Sequence, residues 1–332
     1  MKKFAILAPV TLALLSVSAH AQIQNRTIRV SNGVNDTHPV ATGVKAMAEC
    51  AANRSDGKLK IQGFWSAALG DDVAATNALR SGTLEMVIPS SSALVGMQSA
   101  LGVFDLPFLF NNEKEADAVL DGAFGRNISN KMTSLGLVNL AYWENGFRSV
   151  TNSKRPINKM EDLAGLKIRV IPNPIYLETF KALKTNPVPM PFSEVVPALE
   201  TGAIDGQENP PVTIETSKMY EVQDYLSFSR HIYTPFMVMY SKKLWDRLSK
   251  EEQKIISDCA VVGRDAQRKA SRTRTDEAVA ALKSHGMKVN EIAPAEIAKM
   301  RAAVKPVYEQ QAKTIGQTNI DQIQKVLEGL RK

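Results

Sequence analysis

Strand-length apolar runs alternate with amphipathic helical stretches twice along this chain, and that alternation limits its fold more than any other feature. The first series reads Thr27–Ser31 as a strand, then Val40 to Asn53 as a helix with Val40, Val44, Met47 and Ala51 on one face. Leu59–Phe64 follows as a strand, Asp71–Ser81 as a helix closed by Gly82, and Leu84–Ile88 as a third strand. A second series runs through Leu137–Tyr142 and Leu166–Val170 as strands, Ile175–Leu183 as a helix, and Ser193–Thr201 as a helix ended by Gly202. Strands joined by helices of roughly 10–15 residues pair in parallel, with helices covering the sheet. The pattern predicts an α/β protein of two similar units. Lys250–His285 reads as one long helix and 294–328 as mainly helical. Arg264, Arg268, Arg272 and Arg274 stand among acids there, which reads as a solvated surface.

The two units share a short string. Ala78-Leu79-Arg80-Ser81-Gly82-Thr83-Leu84-Glu85-Met86 parallels Ala198-Leu199-Glu200-Thr201-Gly202-Ala203-Ile204-Asp205-Gly206, each reading helix, glycine cap, short strand, acid. In a two-lobed α/β protein such equivalent segments face each other across a cleft. Residues just beyond the strands then fall where open α/β sheets bind ligands.

The start of the chain is read apart from the fold. Lys2 and Lys3 precede an apolar stretch from Phe4 to Val17, and Ala19-His20-Ala21 gives a small-x-small cleavage pattern, so residues 1–21 are expected to be a signal peptide. The stretch is shorter than the roughly 20 residues that cross a bilayer. The expected product is a soluble exported chain starting at Gln22. Removing the two lysines lowers the formal net charge from +7 to +5 over a chain of 332 residues before cleavage. The basic residues are scattered, which speaks against a nucleic-acid partner and leaves a mild positive field suited to small anions. In an oxidising compartment Cys50 and Cys259 have two readings, a bridge or two buried thiols. His38, His231 and His285 are isolated from other ligand types, so neither a metal nor a cofactor is expected.

Catalytic patterns are sparse. Ser90-Ser91-Ser92 lacks a nucleophile elbow, and an exported hydrolase of small carboxylate esters would have to combine Ser91 with His38 or His231. Anion binding is better founded. Arg169 lies within the apolar strand Leu166–Val170, where an arginine is costly to bury without an anionic partner, whether a ligand or an acid of the fold. Asn145-Gly146-Phe147-Arg148 brings a second arginine just past a strand. Asn209, in Asp205-Gly206-Gln207-Glu208-Asn209-Pro210-Pro211, carries an amide suited to a carboxylate or a hydroxyl. Tyr142, Trp143, Phe147, Tyr233 and Phe236 are candidates for an apolar pocket wall.

Five strings in collinear order carry a family resemblance. They are Gly102-Val103-Phe104-Asp105-Leu106-Pro107-Phe108-Leu109-Phe110, Asn145-Gly146-Phe147-Arg148, Asp162-Leu163-Ala164-Gly165-Leu166-Lys167-Ile168-Arg169-Val170, Asn186-Pro187-Val188-Pro189-Met190 and Asp205-Gly206-Gln207-Glu208-Asn209-Pro210. With them the chain from residue 22 onward closely resembles the DctP-like solute-binding proteins of tripartite ATP-independent periplasmic (TRAP) transporters. The resemblance implies a two-lobed periplasmic binding protein fold with a long helix spanning both lobes. Lobe I is expected to comprise 22–146 plus about 234–273, and lobe II 147–233 plus about 274–332. It implies a monomeric periplasmic receptor, not an enzyme, that closes around an organic acid and delivers it to a TRAP permease.

By the same resemblance Arg169 matches the principal carboxylate-binding arginine, Arg148 an assisting arginine, and Asn209 the asparagine that completes the anion site. The loop Asn35–His38, Trp65, Ser90, Ser91 and Trp143 are expected from their family positions to cap the other end of the ligand. Lys184 stands where the family usually has glycine, at a helix end that favours left-handed backbone. Aromatic candidates around the pocket favour a 2-oxo or 2-hydroxy monocarboxylate over dicarboxylates and sugar acids. A sensor that presents its ligand to a signalling partner would use the same site.

Overall fold

The structure, a computed structural model, describes residues 23–332, so the signal-like segment and its cleavage position lie outside the described residues. The first unit is β1 (Arg26–Ser31), α1 (Pro39–Arg54), β2 (Leu59–Phe64), α2 (Asp72–Ser81) and β3 (Met86–Val87). Proline begins α1, where its fixed φ suits the first turn, and Asp71 caps α2 by accepting from the Val73 and Ala74 amides. Next come α3 (Glu113–Asp121), α4 (Ala123–Lys131) and β4 (Leu137–Asn152). The second unit is β5 (Lys167–Val170), α5 (Pro174–Ala182), β6 (Asn186–Pro189), α6 (Val195–Glu200), β7 (Gly206–Asn209) and α7 (Pro211–Thr216). The chain ends with β8 (Tyr225–Ser241), α8 (Lys242–Trp245), α9 (Lys250–Ser284), β9 (Lys288–Glu291), α10 (Pro294–Ile315) and α11 (Gln317–Leu330).

One sheet runs through the molecule in the order β2-β1-β3-β8-β4-β7-β5-β6, with β9 beside β8. The strands β2-β1-β3 are mutually parallel, as are β7-β5-β6, and the long antiparallel pair β4/β8 joins these two halves. A 16-residue strand such as β4 reaches roughly 50 Å, enough to pass through both lobes. The sequence pattern ends β4 at Tyr142 and assigns no strand to 225–241. The structure carries β4 to Asn152, paired with β8; Glu144, Asn145 and Arg148 are buried polar residues of that stretch, and they erase the apolar alternation by which a strand is read from sequence. The β4/β8 register slips between Glu144 and Gly146, where Gly146 takes φ 116°.

The paired strings fold alike. Thr83 N donates to Ala78 O and Ala203 N to Ala198 O, both at 3.0 Å, while Gly82 and Gly202 both adopt left-handed backbone at φ 81° and 68°. The acids match as well: a Glu85 oxygen accepts from the Arg29 amide of β1 and an Asp205 oxygen from the Lys167 amide of β5, each at 2.9 Å. Lys184 adopts φ 64°, the left-handed conformation expected for it.

The 35-residue helix α9 packs along α1 and β4. Cys50 of α1 and Cys259 of α9 form a disulfide with Cα atoms 5.5 Å apart, the bridged one of the two readings. The arginines of α9 are not the solvated surface the sequence suggests. Arg268 is buried and pairs with Asp117 and Asp121, Arg272 bridges Asp117 and Glu144, and Arg274 pairs with Glu215. Acids from α3, β4 and α7 surround that helix face, which sequence order conceals.

Candidate functional site

A cavity of about 570 Å³ opens where the parallel strands end. Asn32 and Val34 follow β1, Ala67 follows β2, Ser90 follows β3, Ile171 follows β5, Pro191 follows β6, and Asn209 closes β7; all line it. This is the position at which open α/β sheets bind ligands, because there backbone and side chains converge on space no helix fills.

Arg169 enters from β5 and is 2% exposed. Its Nε and Nη2 donate to the Met190 carbonyl at 3.0 and 2.8 Å, which fixes the guanidinium by one edge. Among the described residues Nη1 has no hydrogen-bond partner and no carboxylate pairs with Arg169. The end of the fork, Nη1 and the remaining Nη2 proton, is therefore free for a bidentate acceptor. Burial pushes the guanidinium down to about 10, with Glu208 opposing and Arg148 reinforcing the fall. It stays protonated at neutral pH as a poorly compensated cation.

Arg148 lines the same cavity but is already paired. Its Nε and Nη2 meet the Glu208 carboxylate at 2.5 and 2.8 Å, and Nη2 also donates to the Glu208 carbonyl at 2.6 Å. Glu208 further meets His231 Nε2 at 3.1 Å, and His231 Nδ1 meets Ser229 Oγ at 2.8 Å. Burial alone would raise the Glu208 carboxyl, but Arg148 and His231 hold it below the ordinary value. Asn209 donates to Gln207 Oε1 at 2.6 Å, leaving its carbonyl oxygen for other work.

The opposite wall carries acceptors. Asp71 and Asp72 at the start of α2 line the cavity, and Asp72 Oδ2 accepts from the Ser90 amide at 3.1 Å. Loss of solvation pushes the Asp72 carboxyl up to about 6, opposed by the Ser90 amide and Arg169 and aided by Asp71. Ser90 Oγ has no partner among the described residues. Across the mouth, His38 Nδ1 accepts from the Val40 amide, placing the ring proton on Nε2, 3.3 Å from Thr213 Oγ1. That hydroxyl in turn donates to Asn145 Oδ1 at 3.3 Å. Burial, then the charge of Arg274, lowers the His38 imidazole to about 3, so it is neutral.

Of the residues expected from sequence, Arg169, Arg148, Asn209, Ser90 and Phe236 line the cavity, and His38 reaches it through Thr213. Trp65, Ser91, Tyr142, Trp143, Phe147 and Tyr233 do not. Trp143 is core, its Nε1 donating to Ala260 O at 3.1 Å and its ring held in the space left by Gly43 and Gly263. Tyr233 packs between Phe110 and Phe147 and donates to Glu144, and Trp65 folds back over Gly63. Ser91 is fully buried at the start of a 3₁₀ turn, and neither His38 nor His231 bonds it, so no hydrolytic constellation forms. Sequence reasoning did not single out Asn32, Asp71, Asp72, Asn145 or Thr213. Position after a strand was the available signal for Asn32, whereas the two aspartates read as an ordinary helix start. Among the described residues no group of His, Cys, Asp and Glu is placed to hold a metal ion.

Comparison with known proteins fits this geometry. The description "bacterial extracellular solute-binding protein, family 7" (DctP) matches residues 30–314. The chain belongs to the DctP family. Its members are solute-binding receptors rather than enzymes. A solute-binding protein of Verminephrobacter eiseniae is 36% identical over 310 residues, covering 92% of this chain and 90% of that one. The sugar acid binding protein of Advenella mimigardefordensis, solved in complex with galactonate, is 43% identical with a TM-score of 0.91, covering 92% of this chain and 99% of its own. A TRAP periplasmic solute-binding protein of Sulfurospirillum deleyianum with bound succinate is 30% identical with a TM-score of 0.87, covering 91% and 99%. The DctP fold seen here, two lobes and a long helix, is that of these structures.

Proposed function

We propose that this DctP-family receptor closes around a 2-hydroxy monocarboxylate of sugar-acid type and delivers it to a TRAP permease. Arg169 carries the reading: a buried guanidinium, fixed by one edge and open at its end, lies in a cavity formed by strand ends. In this proposal the ligand carboxylate takes the Arg169 fork, Asn209 accepts from the 2-hydroxyl, and Arg148 contributes field from its pair with Glu208. Ser90 and Asp72 then meet hydroxyls further along the ligand. The galactonate complex of the Advenella protein supports a polyhydroxy acid of this size. Closing the lobes removes water, and charge-assisted hydrogen bonds strengthen as the local dielectric falls.

The lobe crossings belong to the same proposal, near 146/147, 233/234 and 273/274, and the slipped β4 register at Gly146 supports the first of them. Export with removal of residues 1–21, and action as a monomer in the periplasm, complete it. The test is titration calorimetry of ligand-stripped protein against a panel of organic acids. The expected result is tight binding of one class, with Arg169→Ala weakening it by about 2–5 kcal/mol, the scale for breaking a desolvated charged pair. Wild-type affinity in Arg169→Ala would overturn the assignment.

A further inference from the structure

The cavity contains more negative than positive unpaired charge. Among the described residues that line it, Arg169 is the single cation without a carboxylate partner, since Arg148 is held by Glu208. Asp71 and Asp72 both face the same space, and neither forms an ion pair. Asp71 is committed to capping α2, with Oδ1 accepting from the Val73 and Ala74 amides. Asp72 commits only Oδ2, to the Ser90 amide, which leaves Oδ1 without a hydrogen bond among the described residues.

We infer that Asp72 is a specificity-determining residue that accepts a ligand hydroxyl and turns away a second carboxylate. Two ionised carboxylates are both acceptors only, so they cannot hydrogen-bond each other and simply repel. A hydroxyl can donate to Asp72 Oδ1 and accept from Ser90 Oγ, which is buried and unpartnered. One carboxylate is neutralised by Arg169, and no second uncompensated cation lines the described cavity to receive another. The wall thus selects between ligands of the same length and shape by the charge of their far end, a discrimination made by repulsion as well as attraction. The inference rests on the sugar-acid reading above.

Two matched pairs test it: galactonate with galactarate, and gluconate with glucarate. Within each pair the carbon skeleton is the same, and only the terminal CH₂OH becomes a carboxylate. Calorimetry on the full mature chain at pH 8, where protonating Asp72 to relieve the repulsion costs about 100-fold, is expected to show the monoacid bound up to roughly 100-fold more tightly than its diacid. Asp72→Asn keeps an acceptor for the Ser90 amide and removes the charge. It is expected to weaken monoacid binding severalfold, since a neutral amide accepts a hydroxyl less strongly than a carboxylate, and to shrink the ratio to about tenfold or less.

A wild-type chain that binds both members of a pair equally overturns the inference, as does a ratio unchanged in Asp72→Asn. If circular dichroism shows Asp72→Asn unfolded, Asp71→Asn removes the neighbouring charge while keeping the cap acceptor, and is expected to narrow the ratio severalfold; no change overturns the inference. Arg169→Ala separates the two levels. Loss of monoacid binding in Arg169→Ala with a ratio indifferent to Asp72 sinks the inference alone. Monoacid binding that survives Arg169→Ala, or no binding of any of the four acids, sinks the underlying reading and the inference with it.

Discussion

Around Gly82 and Gly202 the backbone makes the same turn with the same bonds, and Glu85 and Asp205 clasp the amides of equivalent strands at the same distance. The strands that follow carry opposite chemistry to the cavity. The N-terminal half brings Ser90 beside Asp72, an acceptor-rich wall, while the C-terminal half brings Asn209 and Arg169 into the same cavity. The glycine and the acid fix the backbone, and the side chains at the strand ends remain free to diverge. A ligand with a carboxylate at one end and hydroxyls at the other satisfies both walls only when they approach, so its binding free energy favours the closed arrangement.

The largest expected difference between the halves lies beneath the cavity. Glu208→Ala strands Arg148 in a buried site and should cost about 3–5 kcal/mol of stability, read by denaturant unfolding. A loss below about 1 kcal/mol would mean that Arg148 finds another anion, and the polarity drawn between the walls would fail. Two buried acids near the cavity should also respond oppositely to pH. Asp105, which accepts from Ser92 Oγ at 2.5 Å and Asn173 Nδ2 at 2.7 Å, is raised by burial to about 7. Because that value exceeds the unfolded one of about 3.9, its contribution is full below about pH 4 and is lost as pH rises through about 7. Glu208 is held below its unfolded value, so its contribution is present above about pH 4.3 and falls away in acid. Asp105→Asn should therefore flatten the decline of unfolding free energy between pH 4 and 7; an unaltered slope would show that Asp105 does not titrate in that window.

The smallest effect tests the equivalence of the turns. Gly82→Ala and Gly202→Ala should each cost about 1 kcal/mol for a left-handed residue with a Cβ. The first should cost more, since a Cβ at Gly82 would stand 3.0 Å from Lys243 Cδ while nothing lies within 4 Å at Gly202. The reverse order in thermal unfolding would break the parallel.

Much of the α/β framework was legible because its helices and parallel strands keep simple periods; Arg169 was legible because a cation among Leu166, Ile168 and Val170 is costly to bury without an anion, and the family resemblance favoured a ligand over an acid of the fold. The joining strands were harder. β4 carries Glu144, Asn145 and Arg148 into buried contacts with distant partners, Arg272, Thr213 and Glu208, so its sequence has no local signature of a strand. Trp143 and Tyr233 look like pocket walls for a related reason. Aromatic character marks burial, and only the packing of Gly43 and Gly263 decides that the indole faces α9 instead of the ligand. Asp72 was hidden by its neighbour, because an aspartate pair before an apolar stretch reads as a helix cap.

The bridge between α1 and α9 spans 209 residues, and the loop it closes carries the cavity lining from Ala67 to Phe236, all of it but Asn32, Gly33 and Val34. Any single peptide cleavage between residues 50 and 259 therefore leaves the two fragments covalently joined. A nicked chain would run as one species on a non-reducing gel and separate into two only when a thiol is added.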